Sequence, residues 1–201
     1  MARPAQPADM PAVSACIASA FQKDPLWGGW AFPEQDEREQ DERASLLGEL
    51  MARLVAGALP HGWVWMTERA EAAAVWLPPG AAELSEAQER EFEDFVDRAL
   101  GQRAEEMREL FEGFEQNHPH EEPHYYLSLL GTHRAHAGRG LGMQLLRDCL
   151  AQIDREGMPA YLESTNPVNI PRYEALGFVQ IGTFSSPAGG PEIATMWRAS
   201  R

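Results

Sequence analysis

The sequence predicts a single α/β domain, and three observations lead there. The chain has 201 residues, about 1.3 times the usual domain length, which suffices for one core and falls short of two full domains. Apolar residues make up 44% and charged residues 24%, with eight Phe, six Trp and four Tyr, which excludes a disordered, collagen-like or low-complexity chain. Helical stripes and short apolar runs succeed one another, and one such run passes through a glycine-rich turn straight into a helix.

A short strand is expected near Arg3. Asp9 is placed to cap a helix whose stripe is Val13, Cys16, Ile17, Ala20 and Phe21, ending near Asp24 and Pro25. Pro25 to Pro33 is a breaker-rich loop whose Trp27, Trp30 and Phe32 suit the wall of a pocket. A second helix sets Leu47, Leu50, Met51, Leu54 and Ala58 on one face and ends before Pro60. Residues 63–67 and 72–77 read as a hairpin across 68–71, with Trp63 and Trp65 on one strand face and expected in the core. From Leu84 to Phe114 the period is helical again, as one long helix or two broken near Gly101, with the intervening Glu residues as a solvated face. A loop rich in His and Pro, His118 to Pro123, leads into the apolar run Tyr125 to Leu130, a central strand. Leu145, Leu146, Cys149, Leu150 and Ile153 then mark a helix ended by Gly157 and Pro159, and Ala160 to Ser164 is a further strand.

Charge narrows the function classes. Seventeen basic against 31 acidic residues give −14, a field that repels phosphate backbones and anionic lipid and favours a cationic small molecule. Strictly apolar stretches such as Ala72 to Leu77 fall far below the roughly 18 residues that span a bilayer. Met10 to Phe21 loosely imitates a signal peptide, but Asp9 and Pro11 interrupt it, so a cytoplasmic location is expected. Cys16 and Cys149 each lie on a helical stripe, which suits buried reduced thiols better than a disulfide.

The segment from Gly131 to Leu146 carries the strongest signal. Gly138, Gly140 and Gly142 alternate just before a helix, where free N–H groups and the positive end of the dipole form an anion cradle. Residues 124–147 contain Arg134, Arg139 and Arg147 and no Asp or Glu. A Walker loop is excluded because no Gly-Lys-Ser/Thr occurs. A dinucleotide fingerprint fails because Met143 replaces its third glycine and only about forty residues remain for the rest of the sheet. A glycine turn without a ligand is the plain alternative.

This loop, together with Asn166, Tyr173, Gly177 and Phe178 in that order, resembles the GCN5-related N-acetyltransferase (GNAT) superfamily. The resemblance covers residues 124–184, taken as the acetyl-CoA-binding core, with 84–116 as a helical insertion in one domain spanning 1–201. Asp24-Pro25, residues 76–80, His118-Pro119, residues 123–127, Leu130-Gly131 and residues 159–163 are similar to the puromycin N-acetyltransferase branch. The resemblance implies a mixed twisted sheet of about seven strands with helices on both faces, splayed where strands end near Thr132 and Ser164. It implies acetyl-CoA held by Leu130, Gly131, Thr132, Ala137, Gly138, Arg139, Gly140, Leu141, Gly142, Met143, Asn166 and Tyr173. Ala137 departs from the family's Gln or Arg, a loss that Arg134 or Arg139 is placed to offset.

Acetyl transfer needs an oxyanion donor, a neutral amine and a proton for the leaving thiolate. The resemblance makes Tyr173 the acid at the coenzyme A sulfur, against a plain reading as a packed core tyrosine. Tyr161 and Glu163 share a strand face, and Glu163 reads as a general base through water or as an anchor for the Asn166 turn. His124 is the other base candidate, since imidazole changes charge near neutral pH, with a solvent-facing histidine as the alternative. His118, His120, Glu121, Glu122 and His124 match no compact metal motif, so no metal is expected and the loop is read as acceptor-side. Oxyanion donors are expected among the N–H groups of Leu130 to Thr132, where the strand would bulge. The expected activity is acetyl transfer from acetyl-CoA to a primary amine of a small, partly aromatic molecule, with no nucleic-acid or membrane partner and room for a homodimer. A non-catalytic acyl-CoA-binding protein of the same fold is the alternative.

Overall fold

A computed structural model describes residues 2–33 and 40–201. In chain order the elements are β1 (Ala2–Pro4), α1 (Met10–Phe21), α2 (Gln40–Ala58), β2 (Val64–Thr67), β3 (Ala72–Leu77), α3 (Glu86–Leu100), α4 (Ala104–Asn117), β4 (Tyr125–Thr132), α5 (Leu141–Arg155), β5 (Ala160–Ser164), α6 (Ile170–Glu174), β6 (Val179–Ser185) and β7 (Glu192–Arg198). Among the described residues seven strands form one sheet in the order β1-β2-β3-β4-β5-β7-β6. Every pairing is antiparallel except β4 with β5. This mixed seven-stranded sheet with helices on both faces is the architecture that the resemblance implies.

β3 is buried along its whole length because both faces are covered. On one face Ala73, Val75 and Leu77 pack with α1 to α4 through Ile17, Leu50, Leu54, Phe95 and Leu110. On the other, Ala72, Ala74 and Trp76 pack with α5 through Leu145, Leu146, Cys149 and Ile153. The two cysteines are free and buried, as expected for reduced thiols. Burial pushes Cys16 up to about 11 and Cys149 up to about 12, so both thiols are inert.

Local expectations meet several corrections. Asp9 precedes α1 but does not cap it; its carboxylate takes the Arg3 guanidinium at 2.7 and 2.8 Å and the Gln6 N–H at 2.8 Å. Trp63 and Trp65 do share a strand face, yet both are only half-buried, against the α5-side core. α3 and α4 are separate helices, and Gly101 between them has φ +54°, a conformation that favours glycine. β6 and β7 complete the sheet, although no local pattern singled them out. β6 is an edge strand with almost every side chain exposed, so it lacks the alternation that marks a half-buried strand.

β4 carries the feature that shapes the site. Its register against β3 runs Val75↔Leu129 and then Trp76↔Leu127, which leaves Ser128 as the extra residue of a β-bulge. The bulge inverts the alternation. Tyr125 and Leu127 face α5, whereas Leu129, two residues on, faces the α1–α4 side. The expected bulge therefore exists, but at Ser128 and not at Leu130 to Thr132.

Candidate active site

β4 and β5 pair only through Tyr125↔Ala160, Tyr126↔Tyr161 and Leu127↔Leu162. Beyond Leu127 the twisted strands part, so the β5-facing backbone groups of Ser128 to Thr132 have no strand partner. The gap is a cleft of about 220 Å³, lined by Leu127, Ser128, Leu130, Leu162 to Asn166, Asn169 and Tyr173, with Phe21, Asp24 and Trp27 closing it from the α1 side.

β4 runs from this cleft into the glycine loop. Gly138 (φ +78°) and Gly140 (φ +73°) have left-handed backbones with open space where a Cβ would be, so conformation demands glycine there. Gly142 answers a different constraint, because its Cβ would fall 2.7 Å from Thr132 Oγ1. Gly131 is likewise a packing glycine, its Cβ position 2.8 Å from the Cβ of Ala20 on α1. The first intrahelical bond of α5 is Gln144 N–H to Gly140 O, and Gly140 supplies no side-chain cap. The N–H groups of Leu141, Gly142 and Met143 thus begin a 15-residue helix without intrahelical partners. Ala137 and Arg139 are exposed beside them. Arg139 lies 3.0 Å from His136 within the loop, while Arg134 is tied to Gln22 Oε1 at 3.1 Å.

Tyr173 reaches the cleft through the motif that suggested it. Asn166 Oδ1 accepts from Val168 N–H at 3.1 Å and opens the turn before α6. Gly177, at φ +94°, reverses the chain after α6, and the buried Phe178 meets the Tyr173 ring edge-on at 6.1 Å. Arg198 on β7 holds the far end, donating Nε to Leu176 O at 3.0 Å while its other nitrogens grip Asp154 at 2.6 and 2.8 Å. Burial, then the nearby Asp24, pushes the Tyr173 hydroxyl up to about 12, so it keeps its proton at neutral pH.

Asp24 is a site residue that entered the sequence analysis only as part of a branch motif. Its Oδ1 accepts from the N–H groups of Leu26 and Trp27 at 2.9 and 3.1 Å, capping the wide helical turn Pro25–Ala31. Its Oδ2 accepts from Thr165 Oγ1 at 2.9 Å, which ties the α1 side of the cleft to β5. Trp27 is the one member of the early aromatic trio that lines the cleft. Phe32 is buried in the core, and Trp30 stacks under the Arg103 guanidinium.

Glu163 projects to the other side of the sheet. Its side chain is 3% exposed, and Oε1 has no hydrogen-bond partner among the described residues. Burial raises the carboxyl to about 8, only partly offset by the hydroxyls of Tyr161 and Tyr126. It does not anchor the Asn166 turn, which is held by Ser164 Oγ donating to Asn166 O at 3.0 Å. His124 is buried and hydrogen-bonded rather than solvent-facing: Nε2 lies 3.0 Å from His118 Nε2, and Nδ1 lies 2.7 Å from Glu122 O. Sequence reasoning missed Glu83. This carboxylate on the β3–α3 connection accepts from Ser128 Oγ at the bulge, and burial raises its pKa.

Three cavities adjoin one another here. A throat of about 40 Å³ shares Trp27, Ser128, Glu163 and Thr165 with the cleft. The throat shares Glu83, Phe111, Phe114 and Tyr126 with a vestibule of about 830 Å³ between α3, α4 and the His118–Pro123 loop. Six glutamates line the vestibule, Glu83, Glu89, Glu93, Glu115, Glu121 and Glu122, and no Lys or Arg among the described residues does.

The family model for the Acetyltransferase (GNAT) family matches residues 108–178, from α4 through the glycine loop to Phe178. Among solved structures, the chain is similar to a histone acetyltransferase HPA2 and related acetyltransferase from Corynebacterium glutamicum, with 22% identity, 100% of this chain and 96% of that one covered, and a TM-score of 0.72. A polyamine N-acetyltransferase of Drosophila melanogaster shares 17% identity over 99% of both chains at a TM-score of 0.64. Arylalkylamine N-acetyltransferase 2 from Aedes aegypti shares 11% identity over 100% of this chain and 99% of that one, also at 0.64. The fold, and the family match over the segment that builds the cleft and the glycine loop, make this chain an acetyl-CoA-dependent acetyltransferase of the GNAT fold.

Proposed function

We propose that the protein transfers acetyl from acetyl-CoA to a primary amine of a small molecule, by direct attack in a ternary complex. The observation that carries this reading is the passage through the sheet: unpaired N–H donors and arginines on one side, a glutamate-lined vestibule on the other, and a throat between them. An anion is favoured at the helix start and an ammonium in the vestibule, and the two meet where β4 and β5 part.

Each residue then has a task. The N–H groups of Gly138 to Met143 hold the pyrophosphate, and because these are backbone groups, Ala137 in place of the family's Gln or Arg should weaken binding without abolishing it. Acetyl-CoA supplies the activated thioester. The free edge of β4 past the Ser128 bulge offers N–H donors to the oxyanion. Tyr173, protonated at neutral pH, donates to the departing thiolate. Glu163 takes the proton that the amine nitrogen must lose, and Glu83 adds a second acceptor-side carboxylate that favours a cationic nitrogen. Trp27, Phe111, Phe114 and Tyr126 give the throat flat apolar walls, which suit an aromatic or aliphatic amine of small cross-section. The branch features around Asp24, residues 76–80 and residues 159–163 are consistent with an aminonucleoside-like acceptor, and the polyamine and arylalkylamine enzymes of similar fold are named for small amines.

The test is thiol release from acetyl-CoA across diamines, arylalkylamines, aminonucleosides and histone-like peptides. Acetylation of one or more small amines is expected. Turnover of peptides alone, with no small amine accepted, would overturn the small-molecule assignment.

A further inference from the structure

Ser128 is restrained from its side chain. As the extra residue of the bulge it has no residue paired opposite it on β3, and the pairing with β5 ends one residue earlier, at Leu127. A bulge re-aims the strand that follows it, so the conformation at Ser128 decides where the free edge of β4 points its main-chain groups. The Ser128 hydroxyl supplies a restraint there by donating to the Glu83 carboxylate.

Glu83 can serve as an anchor because its own main chain is clamped. Gly57 lies buried inside α2, where glycine is unfavourable relative to alanine and no positive φ requires it. Its reason is a close approach: a Cβ there would fall 2.0 Å from Glu83 O and 2.8 Å from Leu84 Cδ2. The β3–α3 connection therefore sits in a notch on α2. One residue before Glu83, Ala82 O accepts from His61 Nε2 at 2.9 Å. Two residues after it, Ser85 caps α3, with its N–H and hydroxyl both donating to Gln88 Oε1.

We propose that Glu83 is a positioning residue: seated in the Gly57 notch and bonded to Ser128, it holds the β4 bulge so that the N–H groups beyond it meet the thioester oxygen. This rests on reading that edge as the oxyanion donor. The device is a strut that runs from α2 through Glu83 to the bulge, and no proton or covalent bond moves in it. Donors already aimed at the developing charge need no reorganisation during the reaction, so a loosened strut lowers the rate more than the affinity. Glu83 also lines the throat and the vestibule. One carboxylate thus faces the acceptor and braces the edge that polarises the acetyl group.

Infrared spectroscopy of carbonyl-labelled acetyl-CoA on the protein tests this without an acceptor. The wild type is expected to shift the thioester carbonyl band below its position in free acetyl-CoA. Ser128→Ala, which removes one oxygen, and Gly57→Ala, which displaces Glu83 from outside the cleft, should both move the band back toward the free position. Glu83→Gln keeps an acceptor for the hydroxyl and should retain the wild-type band. With the small amine turned over fastest in the thiol-release panel, Ser128→Ala and Gly57→Ala should lower kcat about 10-fold to 100-fold at nearly unchanged amine KM. Glu83→Gln should show the opposite split, a kcat near wild type with a raised amine KM, because only the charge is lost. Variants that bind acetyl-CoA normally and keep the wild-type band and kcat in Ser128→Ala or Gly57→Ala overturn the strut. So does a Glu83→Gln variant that loses as much kcat as Ser128→Ala. An unshifted band in the wild type removes the oxyanion reading of the β4 edge and the strut with it, whereas a shifted band that ignores Ser128→Ala removes the strut alone.

Discussion

Replacing Glu163 by Gln probes the buried carboxyl without any acceptor in hand. Gln keeps the shape and cannot ionise. Because burial lifts the carboxyl from 4.5 to about 8, folding favours its protonated form, and the stabilisation linked to that proton is complete below pH 4.5 and lost as pH rises through about 8. At 1.36 kcal/mol per unit, the wild type should lose, relative to Glu163→Gln, under about 1 kcal/mol at pH 5, on the order of 3 kcal/mol at pH 7 and on the order of 5 kcal/mol at pH 9. Urea unfolding of both proteins at the three pH values measures the gap by linear extrapolation. A gap that widens with pH is the signature of a desolvated carboxyl. A gap that stays constant or narrows would refute the reasoning, since it would mean that water reaches Glu163 or that a cation compensates it. The same ionisation predicts that only about one molecule in ten carries the base form at pH 7.

Two further outcomes address the cosubstrate side. Tyr173→Phe removes one hydroxyl from a buried ring, so acetyl-CoA affinity by calorimetry should be nearly unchanged while kcat falls about 100-fold to 10,000-fold; full turnover would make Tyr173 structural. Gly140→Glu forces a side chain onto a backbone at φ +73° and puts negative charge at the helix start, so acetyl-CoA affinity should drop at least about tenfold, and unchanged affinity would move the pyrophosphate site elsewhere.

Local chemistry made much of this protein legible before any fold was known. The glycine loop was visible because left-handed backbone at Gly138 and Gly140 restricts the residue type, and because an acid-free basic stretch stands out in a chain of net charge −14. Tyr173 was singled out by the family resemblance that Asn166, Gly177 and Phe178 carry, and two of those residues do answer local constraints, the Asn166 turn and the left-handed Gly177. Glu163 was noticeable as a carboxylate in an apolar strand. Amphipathic helices α3, α4 and α5 were readable from their stripes, since a helix carries its own period.

Other features depend on which strands meet, and no local pattern carries them. The bulge at Ser128 exists only as a register against β3, and it turns Leu129 to the opposite face from the one simple alternation gives. The cleft exists because β4 and β5 pair over three residues and then part under the twist of the sheet, which no single strand encodes. Asp24, Glu83 and Glu163 are far apart in sequence, and only the packing of the α1 loop, the β3–α3 connection and β5 around one passage makes them neighbours of a common site. Among the early aromatics, Trp27 faces the cleft while Phe32 is core, a difference set by the wide turn that Asp24 caps and not by composition. The anion cradle could thus be read from the chain alone, because it is written in local backbone requirements, whereas the acid candidate came from the family resemblance. The passage through the sheet, and the meeting of His118 with His124 at its acceptor end, come from long-range contacts that only the folded chain brings together.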